Sequence, residues 1–258
     1  EEALQQSTSI LCGTSWQSDL EFNAIKKMRL LGKRSVVFLD HWVNYRERFT
    51  RSVEICLPDE IWVGDAMAHV MAKKLFPDIT ICLVENPYVN DIRQELVAVN
   101  VQGVTNSSDG IAVLYVCEPV REHALLRFGD ERHWGYVEEE ALRYFLANIV
   151  ILGSPISRVM IRPHPSEPIN KYNWALYEFD LPIEMGGAHT LIEEMTESDV
   201  VVGCESMAMV VGLVAGKRVI SCIPPEGKPC DLPHCEIEKL HMLLKTKTTN
   251  SESKEYDE

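Results

Sequence analysis

The feature that most constrains the fold is an alternation of short β-rich runs with helical stretches, interrupted once near the middle of the chain. The runs typical of strands are 9–13, 35–39, 60–63, 79–84, 111–117, 158–161, 199–202 and 218–222. The helical stretches are 19–31, 65–76, 89–96, 142–149, a short one after 190, 205–215 and 236–244. Strands that alternate with helices predict parallel sheets joined by right-handed crossovers.

The interruption lies at residues 99–110, which are polar, rich in turn formers and without periodicity. This change predicts an interdomain linker. We therefore expect an α/β chain of two Rossmann-like, doubly wound parallel-sheet domains. The predicted boundaries are 1–100 and 111–245, with a linker at 101–110. The polar segment 246–258 is expected to be a disordered tail.

Two sequence signals predict where helices begin. Ser18 and Glu21 have the spacing of a capping box before the first helix, and Gly32 follows its end. Thr190 and Glu193 have the same spacing and predict the start of a short helix.

Charge and cysteine usage restrict the class of protein. The formal net charge is −14, which argues against nucleic acid as the main partner because phosphate backbones are bound by clustered Lys and Arg. Eight cysteines occur without a C-x-x-C pair, and Cys12, Cys82, Cys117 and Cys222 lie in apolar runs, so free, buried thiols in a reducing cytosol are expected. The apolar runs are shorter than a membrane span, and no secretory signal is visible.

The strongest candidate for chemistry follows the strand at 158–161. Arg162, His164, Ser166 and Glu167 come at its end, and two prolines stiffen the backbone between them. Arg162 could pair with a phosphate, and His164 could donate a hydrogen bond to it. The alternative is a Pro-rich turn whose histidine is merely exposed.

A second candidate follows the strand at 199–202, where a glycine turn leads into an apolar helix. The first amides of that helix would form an anion site, with the Ser206 hydroxyl as a further donor and Glu205 as an acceptor for ribose hydroxyls. Helix capping by Glu205 or Ser206 explains the same residues without a ligand. The sequence leaves both interpretations open.

The first half of the chain offers a candidate general base. Asp40 and His41 follow a predicted strand, and Asp19 is a rival near the first helix. Trp16 and Trp42 could be platforms for a sugar acceptor, although each could equally be packed in the core. Asp40 could instead bond a neighbouring loop, and Asp19 could only favour the helix dipole.

Other chemistry is poorly matched. Cys230, His234 and Cys235 cluster, with His241 further on, but their spacing fits no standard zinc pattern, so no metal is expected. There is no G-x-G-x-x-G, Walker A or G-x-S-x-G motif, which argues against nicotinamide, ATP-hydrolysis and serine-hydrolase chemistry.

The Arg-Pro-His-Pro stretch at 162–165 together with the Gly-x-Glu-Ser helix start at 203–206 resembles the C-terminal domain of GT-B fold glycosyltransferases. The resemblance is to bacterial surface-polysaccharide enzymes with an "HP" motif: polysialyltransferases, Kdo transferases that use CMP-sugars, and CDP-glycerol polymerases. It covers roughly residues 111–225 and implies that His164 and Ser206 hold the donor phosphates. The family's acidic-Gly motif has no clear match here, and the first half is short for an acceptor domain, which fits a truncated N-terminus.

The resemblance implies a cytoplasmic, metal-independent and cofactor-free transferase that moves a sugar with inversion from a nucleotide donor to a saccharide acceptor. It has no transmembrane segment, so any membrane association would be peripheral. Asp40 or Asp19 would take the acceptor proton, while Arg162, His164 and the helix start at Ser206 would stabilise the departing phosphate. Two alternatives stay open: an epimerase or hydrolase of the UDP-GlcNAc 2-epimerase type, and a non-catalytic domain that binds a nucleotide sugar.

Overall fold

The computed structural model describes residues 2–15, 18–101, 110–153 and 155–252. Two compact units divide the chain. The first takes the residues up to Tyr88 together with Asp231–Pro233, and the second takes the remainder. Residues 102–109 of the expected linker lie outside the described residues, and 99–101 are the end of a helix.

The first unit is built around a small parallel sheet. Its elements are α1 (Glu2–Gln6), β1 (Ser9–Cys12), α2 (Leu20–Leu30), β2 (Arg34–Leu39), α3 (Tyr45–Arg48), β3 (Thr50–Arg51), β4 (Glu54–Ile55), β5 (Glu60–Val63), α4 (Ala66–Leu75) and β6 (Thr80–Leu83). The strands β1, β2, β5 and β6 pair in chain order, each parallel to the next. β3 and β4 form a separate antiparallel hairpin.

The second unit contains a larger parallel sheet. Its elements are α5 (Pro87–Val101), β7 (Ile111–Val116), α6 (Val120–Phe128), α7 (Glu138–Ala147), a 3-10 turn (Ile149–Leu152), β8 (Ile156–Arg162), α8 (Ala175–Glu178), β9 (Ile183–Met185), α9 (Leu191–Thr196), β10 (Val200–Gly203), α10 (Met207–Val214), β11 (Arg218–Ser221), β12 (Ile237–Lys239) and α11 (Leu240–Glu252). The six strands lie in the order β9-β8-β7-β10-β11-β12.

The two sheets are wound differently. The first runs in chain order, so right-handed crossovers carry its helices to the same face. The second runs outward from β7 to β9, then returns to β10 beside β7 and continues to β12, which is the Rossmann strand order. The predicted α/β class with two parallel sheets is confirmed, and the reversal of winding belongs to the second sheet.

Burial explains the composition of the central strands. Val113, Tyr115, Val200 and Val202 lie in one hydrophobic core with Leu142 and Phe145 of α7. Helices cover both faces of such a sheet, so its inner strands read as nearly continuous apolar runs rather than alternating ones. The apolar runs at 111–117 and 199–202 are strands, as predicted, and burial accounts for their composition.

One predicted capping box forms and the other does not. The Thr190 side chain accepts from the Glu193 amide, and the Glu193 carboxylate accepts from the Thr190 amide, as predicted. α2 instead begins one residue later than its signal indicates, with Asp19 at the N-cap position. Ser18 then lies outside the cap and Glu21 at the second helical position, where it cannot complete the box.

The end of the chain also differs from expectation. Residues 237–239 form β12 rather than the start of a helix, and α11 continues to Glu252, into the segment expected to be a tail. Residues 253–258 lie outside the described residues. β9 and β12 are three-residue strands at the two sheet edges, too short to carry a periodic signal. No helix in the described ranges has both the length and the apolar character to cross a membrane.

Candidate functional site

The carboxyl ends of the second sheet bring the candidate residues together. The loop with His164 follows β8, Glu118 follows the neighbouring β7, and Glu205 and Ser206 follow β10 on its other side. The winding reverses between β7 and β10. In open α/β sheets such a reversal leaves a crevice outside the carboxyl ends of the strands, where ligands bind. This edge is the candidate site of the second unit.

Arg162 has an internal partner. Its Nη1 donates to Glu194 Oε2 at 2.5 Å and to the His189 carbonyl at 2.9 Å. Glu194 is 1% exposed and also accepts the Gly187 amide at 2.6 Å. Arg162 was predicted to pair with a phosphate, but its guanidinium is already bound to the buried Glu194 carboxylate. This ion pair fixes the turn at 186–190.

The His164 loop is held by its own side chains. The His164 Nδ1 lies 2.7 Å from Ser166 Oγ and accepts the Ser166 amide at 3.2 Å. Since Nδ1 accepts, the neutral ring carries its proton on Nε2. Burial lowers the pKa of His123 on α6, and a proton on His164 would lower it further. His164 thus presents Nε2 as a donor, while Ser166 orients the ring.

A buried network supports this loop from below. Glu167 accepts the His164 amide at 2.9 Å, the Tyr172 hydroxyl at 2.7 Å and Lys171 Nζ at 2.8 Å. Lys171 also donates to the buried Glu138. Burial by itself would lower the Lys171 pKa, but the two carboxylates raise it above its usual value. Glu167 is therefore a structural anchor of the loop rather than an open ligand group.

Ser206 caps α10. Its Oγ accepts the Ala208 amide at 3.1 Å, and its backbone is extended, as an N-cap residue requires. This arrangement confirms the capping interpretation of Ser206 and leaves its hydroxyl hydrogen available as a donor. Glu205 precedes the cap and is half-buried, with Lys228 Nζ 4.0 Å from its Oε1.

Glu118 is a residue of this edge that sequence reasoning missed. Both of its carboxyl oxygens lie near the Glu205 amide, at 3.2 and 3.0 Å. Burial raises the pKa of Glu118 to about 8 against the hydrogen bond from the Glu205 amide, which lowers it, and the charges of Glu205 and Glu167 add to the rise. The signal was available, because Glu118 directly follows the strand predicted at 111–117 and strand ends carry ligand groups.

Three buried cysteines follow strands that end at the same edge. Cys117, Cys204 and Cys222 follow β7, β10 and β11 and are buried and unpaired by disulfides. Cys222 Sγ donates to the Tyr115 hydroxyl at 3.4 Å. Burial raises the pKa of Cys117, and a hydrogen bond with Cys222 raises that of Cys204, which burial raises further. Cys117 and Cys222 are buried as expected, whereas Cys12 and Cys82 are half-buried.

In the first unit, Asp40 follows β2 and is 63% exposed. Its Oδ1 accepts from Arg48 Nη1 at 3.1 Å, and the same nitrogen donates to Thr14 Oγ1 at 2.6 Å. The Arg48 side chain is 8% exposed, and burial lowers its pKa despite the attraction of Asp40. Asp40 therefore lies at the carboxyl edge as expected, where it also neutralises a buried cation.

Asp19 and His41 both have hydrogen-bond partners within the first unit. Asp19 accepts from Arg51 Nε at 2.6 Å and makes no side-chain bond to its helix, so it acts as the partner of Arg51 rather than as a cap. His41 Nδ1 accepts the Trp42 amide at 3.0 Å. Neither the pairing of Asp40 with Arg48 of α3 nor that of Asp19 with Arg51 of β3 was indicated by the local sequence.

The structure does not present Trp42 as a stacking platform. Trp42 is 6% exposed, and its indole nitrogen donates to Asp65 Oδ2 at 2.7 Å. Asp65 also caps α4 through the Ala68 amide, so the tryptophan is fixed in the core. Trp16, the other expected platform, lies outside the described residues. Within the described ranges, no group of three His, Cys, Asp or Glu side chains is arranged to hold a metal ion.

Comparisons with known proteins include a distant likeness to a solved structure. No protein-family model and no curated protein matches the chain. Among solved structures, the chain is similar to KpsC of Thermosulfurimonas dismutans, described as a beta Kdo 2,7 transferase. The sequences are 12% identical, the TM-score is 0.40, and the match covers 90% of this chain and 83% of that chain.

Proposed function

We propose that the protein is a glycosyltransferase whose second unit binds the nucleotide part of an activated sugar donor, with a CMP-sugar favoured. The observation that supports this most is the reversal of winding between β7 and β10. It places the start of α10 and the His164 loop on one ligand-prone edge, which matches the two motifs of the GT-B resemblance.

A phosphate at this edge would find complementary groups. The start of α10 carries partial positive charge, which favours an anion, and its Ala208 and Met209 amides bond to Ser206. The Ser206 hydroxyl adds a donor while its oxygen accepts from Ala208. His164 adds Nε2, because Nδ1 is occupied by Ser166. These groups suit the phosphate of a nucleotide, whose charge grows as the bond to the sugar breaks.

For the chemical step we propose Asp40 as the general base that takes the proton from the acceptor hydroxyl. It follows directly from β2, and its ion pair with Arg48, at 3.1 Å, is longer than the 2.6 Å pair of Asp19 with Arg51, while both carboxylates are largely exposed. The acceptor oxygen then bonds to the sugar carbon from the face opposite the leaving phosphate, with inversion. We expect Asp40→Asn to lose transfer and keep donor binding, while Asp19→Asn keeps both.

Isothermal titration with CMP, CDP, UDP and UDP-GlcNAc tests the donor site. We expect CMP or CDP to bind the native chain and His164→Ala to lose that binding. His69→Ala is the matched control, because this histidine lies half-buried on α4 of the first unit. Unchanged binding by His164→Ala would remove the histidine from the site, and no binding by any nucleotide would reject the proposed function.

Glu118 and Glu205 give a reason to keep the epimerase as the second candidate. Two carboxyl groups beside the donor sugar suit acid–base chemistry without an acceptor, and the raised pKa of Glu118 fits a proton-transfer group. Exclusive binding of UDP ligands, with a C2 epimer or free UDP formed from UDP-GlcNAc, would favour it over the transferase. Nucleotide binding without turnover would favour a non-catalytic binding domain.

A further inference from the structure

Glu118 lies at the carboxyl edge of the second sheet, beside the point where the winding reverses. It is the second residue after β7, the strand from which the winding departs in both directions. Its carboxyl group reaches across to the loop after β10, where both oxygens lie within 3.2 Å of the Glu205 amide. Glu118 as a whole residue is half-buried.

The groups that face Glu118 are mostly acidic or uncharged. The loop after β10 contributes Glu205 and Cys204, the loop after β8 contributes Glu167, and Tyr136 approaches from the segment before α7. Lys228 lies 4.0 Å from the Glu205 carboxylate. Removal from water and the neighbouring carboxylates disfavour an ionised Glu118, whereas the hydrogen bond from the Glu205 amide favours it.

The protonation state of Glu118 decides what the start of α10 offers a ligand. An ionised Glu118, bound to the Glu205 amide just before the N-cap Ser206, would be an anion near the positive end of the α10 dipole and would repel a second anion. A neutral carboxyl can accept the Glu205 amide with one oxygen and donate the proton on the other. The edge is then receptive to phosphate.

We propose that Glu118 sets the affinity of this edge for anions, with the neutral carboxyl admitting and hydrogen-bonding a phosphate oxygen and the ionised carboxylate excluding it. This inference rests on the proposed nucleotide site, and it adds a ligand-contacting residue that the motifs do not include. It predicts affinity that depends on pH on the alkaline side of neutrality.

The test is titration of the full chain with CMP and with sulfate, whose charge is constant over the range, between pH 7 and pH 9. If only the neutral form binds, affinity scales with its population and falls about tenfold between these pH values for a pKa of about 8. Glu118→Gln keeps an acceptor and a donor without the charge and should show no such fall. Glu122→Gln, the same change at an exposed position on α6, should behave as the native chain.

A second variant covers the case in which Glu118→Gln does not fold. Glu205→Gln removes one charge that raises the Glu118 pKa, so the loss of affinity should begin at lower pH. A native pH dependence retained in Glu118→Gln, or an unshifted one in Glu205→Gln, would overturn the inference while leaving the nucleotide site intact. Sulfate binding with this pH dependence but no nucleotide binding would reject the proposed function alone. No binding of either probe would reject both.

Discussion

At the scale of single residues, charges that looked available in the sequence are held by partners 8 to 32 residues away along the chain. Arg162 binds Glu194, Asp40 binds Arg48, and Asp19 binds Arg51. An ion pair forms where the fold brings opposite charges together, and nothing in the sequence near either member shows it. The sequence therefore identified residues at the carboxyl edges without showing which are free to meet a ligand.

The Arg162–Glu194 pair gives a prediction at this scale. Glu194→Ala leaves the half-buried Arg162 guanidinium without its counter-ion, with the His189 carbonyl still accepting from it, and the Gly187 amide without its acceptor. We expect the free energy of unfolding to fall by about 3–5 kcal/mol, as for other broken buried pairs. Guanidinium denaturation followed by tryptophan fluorescence measures it.

The exposed pair of Arg143 with Glu178 supplies the control. It has similar geometry, with 2.8 Å between Arg143 Nε and Glu178 Oε1, but both side chains are more than two-fifths exposed. Removing the Glu178 side chain should cost much less, because solvent screens the pair. Equal losses in the two variants would contradict the structural role assigned to Glu194.

At the scale of elements, the unit of strand, glycine and helix at 200–214 was predicted closely from its apolar run and glycine. The structure adds why the glycine is needed: a Cβ on Gly203 would lie 2.9 Å from the Val116 Cγ2 and 3.2 Å from the Met209 sulfur. The close approach lets the chain turn from β10 into α10 against β7. Ser206, the N-cap that follows, stabilises the helix and also belongs to the proposed ligand site.

Substitution of Ser206 separates these two roles. Ser206→Asp keeps a good N-cap, so the free energy of unfolding should stay within about 0.5 kcal/mol, whereas Ser206→Ala should lose about 1 kcal/mol. Ser206→Asp should lower CMP affinity more than Ser206→Ala does, because the new carboxylate repels phosphate whereas alanine only removes one donor. Denaturation and calorimetric titration of both variants measure the two effects. Full CMP affinity in Ser206→Asp would show that the start of α10 is not the anion site.

At the scale of the whole molecule, a protein of net charge −14 is proposed to bind an anion. The long-range field of such a protein opposes the approach of a nucleotide, even where local groups favour it. Added salt screens this repulsion, since the Debye length falls to about 10 Å at 0.1 M ionic strength. The salt dependence should therefore be opposite to that of basic phosphate-binding proteins.

We expect the association rate constant of CMP, measured by stopped flow, to rise when the ionic strength is raised from low values towards about 0.15 M. Cytidine is the matched control, because it has no phosphate and should show no such rise. A rate that falls with salt for CMP would indicate that the local field of the site outweighs the net charge.

The sequence by itself determined the α/β class, most strand positions, the Thr190 capping box and the two motifs at strand ends, because each depends on local periodicity or spacing. It did not determine the edge strands β9 and β12, whose three residues become strands through pairing with neighbours. Nor did it place Glu118 beside Glu205, or bury Trp42 against Asp65. These contacts join residues 23 to 87 positions apart, and only the order in which the strands assemble decides them.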